Sequence, residues 1–162
     1  MKYAQIRAMD VTNGYGIGIA VFVQGCDFHC KNCFNQTTWD WDGGCYWNEQ
    51  KEKELFELCN KPYITRLSVL GGEPLNPKNI DQVIELAKHF KETFPKKELW
   101  VWSGYNFESY ISQTDIINYA DYIIDGLYED DKKDFRLRFR GSSNQRIWRK
   151  VGTEWIIEED AR

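Results

Sequence analysis

The sequence lacks a long apolar run. The longest uninterrupted one is residues 19–23 (IAVFV), far short of the ~18 apolar residues that a membrane-spanning helix needs. Residues 1–10 contain neither the apolar core of a signal peptide nor a small-residue cleavage site. We therefore expect a cytoplasmic protein that does not interact with membranes.

An excess of positive charge is also missing. The 162 residues carry 21 Lys and Arg against 25 Asp and Glu, so the formal net charge is −4. Because general binding to nucleic acid depends on basic groups that neutralise phosphates, no nucleic-acid partner is expected. Repeats, low-complexity segments and Gly/Ser/Pro linkers are absent, and hydrophobic residues make up 42% of the chain. These features predict a single packed domain over residues 1–162.

Strand and helix patterns alternate along the chain. Helices are predicted for residues 48–59, capped by Asn48, and for a segment that follows Asn79, whose residues 80, 83, 84, 87 and 90 form an apolar stripe. A short helix is predicted at residues 107–112. Strands are predicted at residues 17–23, 64–70, 99–102, 122–124, 135–140 and 154–157. This alternation predicts an α/β fold with a mostly parallel sheet.

Unusual loops follow the first four predicted strands in turn. They are a cysteine-rich segment, then residues 71–74 (GGEP), 103–105 (SGY) and 125–126 (DG). Ligands of parallel α/β folds bind beyond the carboxyl ends of the strands. We therefore expect the four loops to meet on one face and to form the functional site there.

The number of cysteines is odd, which argues against a framework of disulfides. The five cysteines are Cys26, Cys30, Cys33, Cys45 and Cys59. The first three have the spacing C-x3-C-x2-C, and close thiols in a reduced compartment indicate a soft metal. An iron–sulfur cluster normally takes four thiolates, so three from one loop would leave one iron of a [4Fe–4S] cluster open. The alternative is a closed zinc site in which Cys45 or His29 supplies the fourth ligand.

Several segments together resemble a known family. They are residues 10–14 (DVTNG), 22–35 (FVQGCDFHCKNCFN), 70–75 (LGGEPL), 100–105 (WVWSGY), 125–129 (DGLYE) and 139–146 (FRGSSNQR). The cysteine spacing followed by GGEP resembles the radical S-adenosylmethionine superfamily. The last segment makes the chain similar to the proteins that activate anaerobic ribonucleoside-triphosphate reductases.

The resemblance implies a cofactor site with named ligands. Cys26, Cys30 and Cys33 would bind three irons of one [4Fe–4S] cluster, and the fourth iron would bind S-adenosylmethionine. The remaining contacts to S-adenosylmethionine are expected from the four loops. The residues expected there are Asn32, Cys33, Phe34, Gly71, Gly72, Glu73, Ser103 and Asp125. Asn32 stands where many superfamily members have an aromatic residue. Arg140 and Arg146 are further candidates, in their case for the cofactor carboxylate.

The resemblance also implies an activity, its partners and a fold. The cluster, reduced by one electron, would cleave S-adenosylmethionine to a 5′-deoxyadenosyl radical. That radical would generate a glycyl radical on the glycyl-radical subunit of the anaerobic ribonucleoside-triphosphate reductase. The electron donor would be a protein such as reduced flavodoxin or ferredoxin. The fold would be a reduced, open partial (βα) barrel of the radical S-adenosylmethionine type.

Two other functions fit the same residues. One is activation of a different glycyl-radical enzyme. The other is a non-catalytic zinc or iron–sulfur module that only binds a partner.

Overall fold

The computed structural model describes residues 1–159, in which eight strands form one sheet and two α-helices pack against it. The strands are β1 (Lys2–Asp10), β2 (Gly18–Val23), β3 (Cys45–Tyr46), β4 (Arg66–Gly71), β5 (Glu98–Trp102), β6 (Tyr122–Asp125), β7 (Arg146–Val151) and β8 (Glu154–Ile157). The helices are α1 (Glu49–Cys59) and α2 (Ile80–Thr93). Short 3-10 helices occupy Gln36–Thr38, Ile111–Gln113, Asp115–Asn118 and Asp130–Lys132.

The sheet is mixed, so the predicted open (βα) barrel with a mostly parallel sheet is wrong. The strand order is β3-β1-β2-β4-β5-β6-β7-β8. Only β2, β4, β5 and β6 run parallel, and every pairing outside this centre is antiparallel. A barrel needs a helix between successive strands, whereas the chain from β5 to β6 passes through short 3-10 turns. The β1–β2 and β7–β8 connections are hairpin loops, which add strands antiparallel at each edge.

The helices predicted for residues 48–59 and for the segment after Asn79 are present as α1 and α2. Asn48 caps α1, since its side chain accepts a hydrogen bond from the Lys51 N–H at 2.8 Å. Asn79 precedes α2, but its side chain makes no capping bond there and instead donates to the Glu73 carbonyl at 3.1 Å. Neither helix in the described residues is long and apolar enough to cross a membrane.

The two helices cover one face of the sheet. Their buried side chains, such as Leu55 and Phe90, pack on the inward side chains of the parallel strands. The buried side chains of this core include Ile19, Val21, Val23, Leu67, Val69, Leu99, Val101 and Ile123. Alternate residues of the same strands point to the opposite face, which explains why these strands are apolar on both sides.

Loops cover the opposite face. Trp100 is fully buried there and stacks on Tyr122, with ring centroids 3.9 Å apart. Tyr15 from the β1–β2 loop and Phe139 from the β6–β7 connection pack edge-on against Trp100. Trp100 is therefore the centre of a second buried cluster on this face.

Two local predictions from the sequence are wrong. Residues 135–140 alternate between apolar and basic side chains, yet the chain forms turns and bends there rather than a strand. Phe139 has φ +64°, a left-handed conformation that interrupts an extended chain. The short helix predicted at residues 107–112 is a turn followed by the 3-10 helix Ile111–Gln113.

A buried ion pair fixes the β1–β2 loop on the loop-covered face. The Arg66 guanidinium donates to the Asp10 carboxylate at 3.0 Å, and both side chains are fully buried. It also donates to the Tyr15 carbonyl at 3.0 Å and to the Ser68 hydroxyl at 2.8 Å. Burial alone would raise the pKa of Asp10, but the Asn13 N–H and the Arg66 charge outweigh it and lower that pKa.

We expect Arg66→Ala to lower the free energy of unfolding by about 3–5 kcal/mol, because it leaves the buried Asp10 carboxylate without its counter-charge. Urea denaturation monitored by circular dichroism measures this change. Arg7→Ala is the matched control, since Arg7 pairs with the same carboxylate at 3.2 Å but its side chain is 44% exposed. A partly exposed pair contributes about 0–1 kcal/mol. Equal losses in the two variants would contradict this prediction.

Candidate functional site

One cavity of about 420 Å³ lies on the loop-covered face, at the carboxyl ends of the parallel strands. Its size is typical of small-molecule sites, which occupy roughly 300–1,000 Å³. All four predicted loops reach it. Residues from these loops that line it are Cys26, Phe28, Cys30, Cys33, Phe34, Gly71, Gly72, Glu73, Ser103, Gly104, Gly126, Leu127 and Tyr128.

The cysteine loop has an irregular backbone that turns its thiols inward. His29 and Asn32 have φ of +48° and +56°, a conformation that side-chain-bearing residues seldom adopt. The His29 ring stacks on Trp39, with centroids 4.5 Å apart and planes 13° apart. The Gly25 and Cys26 N–H groups donate hydrogen bonds to the carbonyls of Thr38 and Trp39. These bonds hold the start of the loop against the segment that follows it.

The thiols of this loop are surrounded by backbone N–H groups. Burial raises the pKa of the Cys26 thiol, although hydrogen bonds from the Phe28 and His29 N–H groups oppose that rise. Burial likewise raises the pKa of Cys30, opposed by the Tyr128 N–H. A bound metal deprotonates a coordinating thiol outright. The N–H groups would then stabilise sulfur that carries negative charge.

The donor set fits a cluster better than a single ion. Within residues 1–159, no three His, Cys, Asp or Glu side chains converge closely enough to hold one metal ion. A cubane cluster instead takes each thiolate on a different iron, so its ligands line the periphery of a cavity, as Cys26, Cys30 and Cys33 do. Neither candidate fourth zinc ligand lines this cavity: His29 stacks on Trp39, and Cys45 is exposed on strand β3.

The two glycines of the GGEP loop allow it to lie against the cysteine loop. Gly71 has φ +108°, and a Cβ there would lie 2.6 Å from the Val23 nitrogen. A Cβ on Gly72 would lie 2.4 Å from the Gly25 carbonyl oxygen. Since real contacts are never that short, only glycine permits this approach. The loop therefore places bare backbone at the cavity wall beside the thiols.

Glu73 joins three of the loops. Its buried carboxylate accepts hydrogen bonds from the Gly104 N–H at 2.7 Å, the Ser103 hydroxyl at 2.8 Å and the Leu75 N–H at 2.9 Å. Its own N–H donates to the Gly25 carbonyl at 2.8 Å. Burial raises the pKa of Glu73 to about 7, against the opposing effect of its hydrogen bonds. Glu73 and Ser103, both predicted as cofactor contacts, thus line the cavity and also bind each other.

Two predicted cofactor contacts do not line the cavity. The Asn32 side chain donates outward to Asp130 at 2.8 Å. The Asp125 carboxylate lies beneath the loops and accepts bonds from the Phe107 N–H, the Trp148 indole and Arg146. Phe34 does line the cavity and is 62% exposed at its edge.

Of the two candidate arginines, one lines the cavity and the other does not. Arg140 lines the cavity. Arg146 does not, because its guanidinium is held between Asp125 at 2.6 Å and Glu108, whose pKa it lowers to about 2.

The FRGSSNQR segment shapes the far wall. The Gln145 carboxamide oxygen accepts from the Gly141 N–H at 2.9 Å, and its NH2 group donates to the Gly126 carbonyl at 3.1 Å. The Asn144 NH2 group donates to the Leu127 carbonyl at 2.7 Å. These amides hold residues 126–127 against the turn that starts at Gly141, which explains the concentration of polar residues there.

Sequence reasoning missed several residues that line the cavity. They are Arg7, Thr12, Asn13, Phe22, Asn35, Trp39, Leu70, Trp102, Phe139 and Gln145. Strand β1 carries Arg7 but shows no clear apolar alternation, and it was not predicted. Thr12 and Asn13 belong to the DVTNG motif, which contributed to the family resemblance, but the motif did not indicate that these residues line the cavity. Cys59, the last residue of α1, is fully buried in the core and does not line the cavity.

Comparisons with known proteins define the class of this chain. A model of the family described as "4Fe-4S single cluster domain" matches residues 12–148. The chain therefore belongs to the 4Fe-4S single cluster domain family.

The names of similar proteins are more specific than the name of this family. The "Anaerobic ribonucleoside-triphosphate reductase-activating protein" of Enterobacteria phage T4 is 39% identical over 155 residues, which cover 96% of this chain and 98% of the phage protein. The proteins of that name from Pasteurella multocida and Escherichia coli strain K12 are 36% and 33% identical, over 92% and 90% of this chain and 98% and 96% of their own lengths. The resemblance to this family of activating proteins, predicted from the motifs, is confirmed.

We expect Glu73→Gln to lower the free energy of unfolding by about 1–3 kcal/mol. The amide nitrogen of Gln cannot accept a hydrogen bond, so at least one of the buried donors that now bonds to the carboxylate would lose its acceptor. Chemical denaturation of the cluster-free protein measures the loss. Glu57→Gln, at an exposed position of α1, is the control and should change stability by less than about 0.5 kcal/mol. An unchanged Glu73→Gln variant would show that the carboxylate does not hold the loops together.

Proposed function

We propose that this chain is a radical S-adenosylmethionine enzyme that generates a glycyl radical on an anaerobic ribonucleoside-triphosphate reductase. The observation that carries the proposal is the juxtaposition of three cavity-lining thiols with the bare backbone of the GGEP loop. Membership of a 4Fe-4S domain family and the names of the similar proteins support it. The enzyme would act in the cytoplasm as one domain.

Cys26, Cys30 and Cys33 would hold one [4Fe–4S] cluster by three of its irons. When bound, the cluster supplies an open iron for the methionyl end of S-adenosylmethionine and the electron that cleaves its C–S bond. The protein supplies position and exclusion of water. Cys26 is the most buried of the three thiols, at 8% exposure. Cys26 would therefore be the ligand best shielded from solvent, and Cys30 and Cys33 would be the more exposed ligands.

The GGEP loop would bind the methionyl amino group. Gly71 and Gly72 present backbone without side chains beside the thiols, so a ligand bound to the open iron can approach the backbone directly. Glu73 would act through its charge and by fixing the loop, since its carboxylate already accepts three hydrogen bonds from protein donors. Phe34 and Ser103 line the same cavity and would contact the remainder of the cofactor.

Asn32 and Asp125 would support these contacts indirectly. The Asn32 side chain, bonded to Asp130, would fix the left-handed turn before Cys33. Asp125 anchors the start of the β6–β7 connection through Arg146 and Trp148. The one-electron donor would be a protein such as reduced flavodoxin or ferredoxin.

Replacing Cys26, Cys30 or Cys33 by Ala should abolish a stable cluster, because each would remove one of the three protein ligands. Iron and acid-labile sulfide analysis of anaerobically reconstituted protein measures this. Cys45→Ala and Cys59→Ala are the matched controls and should retain about four irons per chain. A cluster lost in the Cys45 variant would indicate a four-cysteine site, and protein that binds one zinc instead would contradict the proposal.

The cluster-loaded protein should produce 5′-deoxyadenosine from S-adenosylmethionine when dithionite is present and none when it is omitted. The reason is that C–S cleavage requires one electron from the reduced cluster. Liquid chromatography of anaerobic reactions measures the product, with the Cys30→Ala variant as a blank. Absence of product from fully loaded protein would exclude radical S-adenosylmethionine chemistry.

A further inference from the structure

A short basic loop stands out on an acidic chain. The formal net charge is −4, yet residues 132–140 contain five basic side chains and one acidic one. We call this segment the basic loop. Its charged residues are Lys132, Lys133, Asp134, Arg136, Arg138 and Arg140. The Lys132, Lys133, Arg136 and Arg138 residues are exposed. The acidic residues 129–131 directly precede the loop, so its excess of positive charge lies in residues 136–140.

Part of this charge is not engaged in an ion pair, although the charge of Lys133 helps to lower the pKa of the neighbouring Asp130. Lys132 pairs with Glu129 at 3.1 Å, and Arg136 pairs with Asp134 at 3.0 Å. Among the ion pairs of residues 1–159, none involves Lys133 or Arg138. Exposed charge of this kind steers an oppositely charged partner over distances up to the Debye length, about 10 Å at 0.1 M salt.

An exposed aromatic residue lies at the centre of the loop. Phe135 is 82% exposed, and the Lys133 ammonium lies 5.3 Å from the centre of its ring. Aromatic side chains surrounded by charge are the anchor type found at protein interfaces. The loop thus combines an apolar anchor with a basic surround.

The base of the basic loop contacts the cysteine loop. On one side Tyr128 directs its N–H toward the Cys30 thiol and packs its ring on Phe34, with centroids 5.0 Å apart. On the other side Gly141 lies so close to Phe34 that a Cβ there would be 2.6 Å from its ring. A partner seated on the basic loop would therefore contact a segment whose flanking residues Tyr128 and Gly141 both adjoin the cysteine loop.

We propose that the basic loop is the docking surface for an acidic protein that carries a one-electron centre and reduces the cluster. This inference rests on the proposed function. In the step, the donor is oxidised by one electron and the [4Fe–4S]²⁺ cluster is reduced to [4Fe–4S]⁺, so the electrons balance. The electron then enters the C–S bond of S-adenosylmethionine.

Interface size and charge favour the electron donor over the reductase as the protein that binds the basic loop. Transient redox encounters use small interfaces, below about 1,200 Å², and depend on complementary charge. Nine residues with dense charge and one aromatic anchor match that description. Hydrogen abstraction instead needs reacting atoms about 3–3.5 Å apart, so the reductase must reach into the cavity rather than stop at its outer rim.

Charge reversal tests this surface. The test variant is Lys133→Glu with Arg138→Glu, and the matched control is Lys53→Glu with Lys88→Glu, at exposed positions of α1 and α2. Each pair lowers the formal net charge of −4 by the same four units. None of these four residues lines the cavity, so dithionite-driven formation of 5′-deoxyadenosine should match the wild type in both variants.

The probe is flavodoxin, an acidic flavoprotein. Its oxidised form is titrated against cluster-loaded protein and binding is read from flavin fluorescence. We expect the test variant to bind about tenfold or more weakly, and the control within about twofold of wild type. Wild-type binding should weaken as salt rises. Stopped-flow reduction of the cluster by flavodoxin hydroquinone should slow in parallel.

Several results would overturn the inference. One is equal flavodoxin binding by the test and control variants, and another is no flavodoxin binding by the wild type. A third is unchanged flavodoxin binding with loss of dithionite-driven glycyl-radical formation on the reductase, which would assign the loop to the reductase. Failure of the proposed function is separate: it would show as absence of 5′-deoxyadenosine with dithionite, while the binding titration would still report on the docking surface.

Discussion

The buried carboxylate of Glu73 is the constraint on which the candidate site depends. It accepts hydrogen bonds from the loops that follow β4 and β5, and its backbone N–H bonds the residue before Cys26. A single residue therefore sets the distance between the GGEP loop, the Ser103–Gly104 turn and the cysteine loop. A buried carboxylate is stable only when its oxygens are satisfied. The carboxylate thus requires the loops to converge, and their convergence in turn forms the cavity.

The sheet supplies the positions that this carboxylate joins. Its four parallel central strands end at one edge, so the loops after β2, β4, β5 and β6 begin side by side. The two helices cover one face of the sheet. The β1–β2 loop and the β6–β7 connection cover the opposite face, on which the cavity lies. The first of these is held by the buried Arg66–Asp10 pair and the second by Asp125 with Arg146. Charged pairs thus hold in place the two segments that cover this face.

The sequence allowed the prediction of the parallel centre, both helices and the loops that form the site, because doubly buried strands and amphipathic helices have distinct periodicities. It did not reveal the edges. β1 is mostly exposed or half-buried, and its pattern contains no clean alternation. Residues 135–140 do alternate, but Phe139 turns back onto Trp100, a tertiary contact that overrides local pattern. Asp125 was assigned to the ligand because carboxylates at strand ends often serve there, whereas its partners Arg146 and Trp148 lie on a strand that was not predicted.

The two sides of the cavity are built for different mobility. The wall formed by Thr12 and Asn13 is tied to Asp10 and to a fully buried Arg66, and removal of such a pair is costly, so this wall stays in place. The opposite wall, from Gly126 to Gln145, is held at its two ends by the Asp125–Arg146 pair. Between these ends it is held by side-chain amides and by exposed pairs such as Lys132–Glu129, and exposed pairs contribute little each. Segments of low local stability are the ones that open first. If a glycine loop of the reductase enters the cavity as proposed, the less costly movement is therefore that of the wall that carries the basic loop. Donor docking and substrate entry would then involve the same segment, and they would compete rather than occur together.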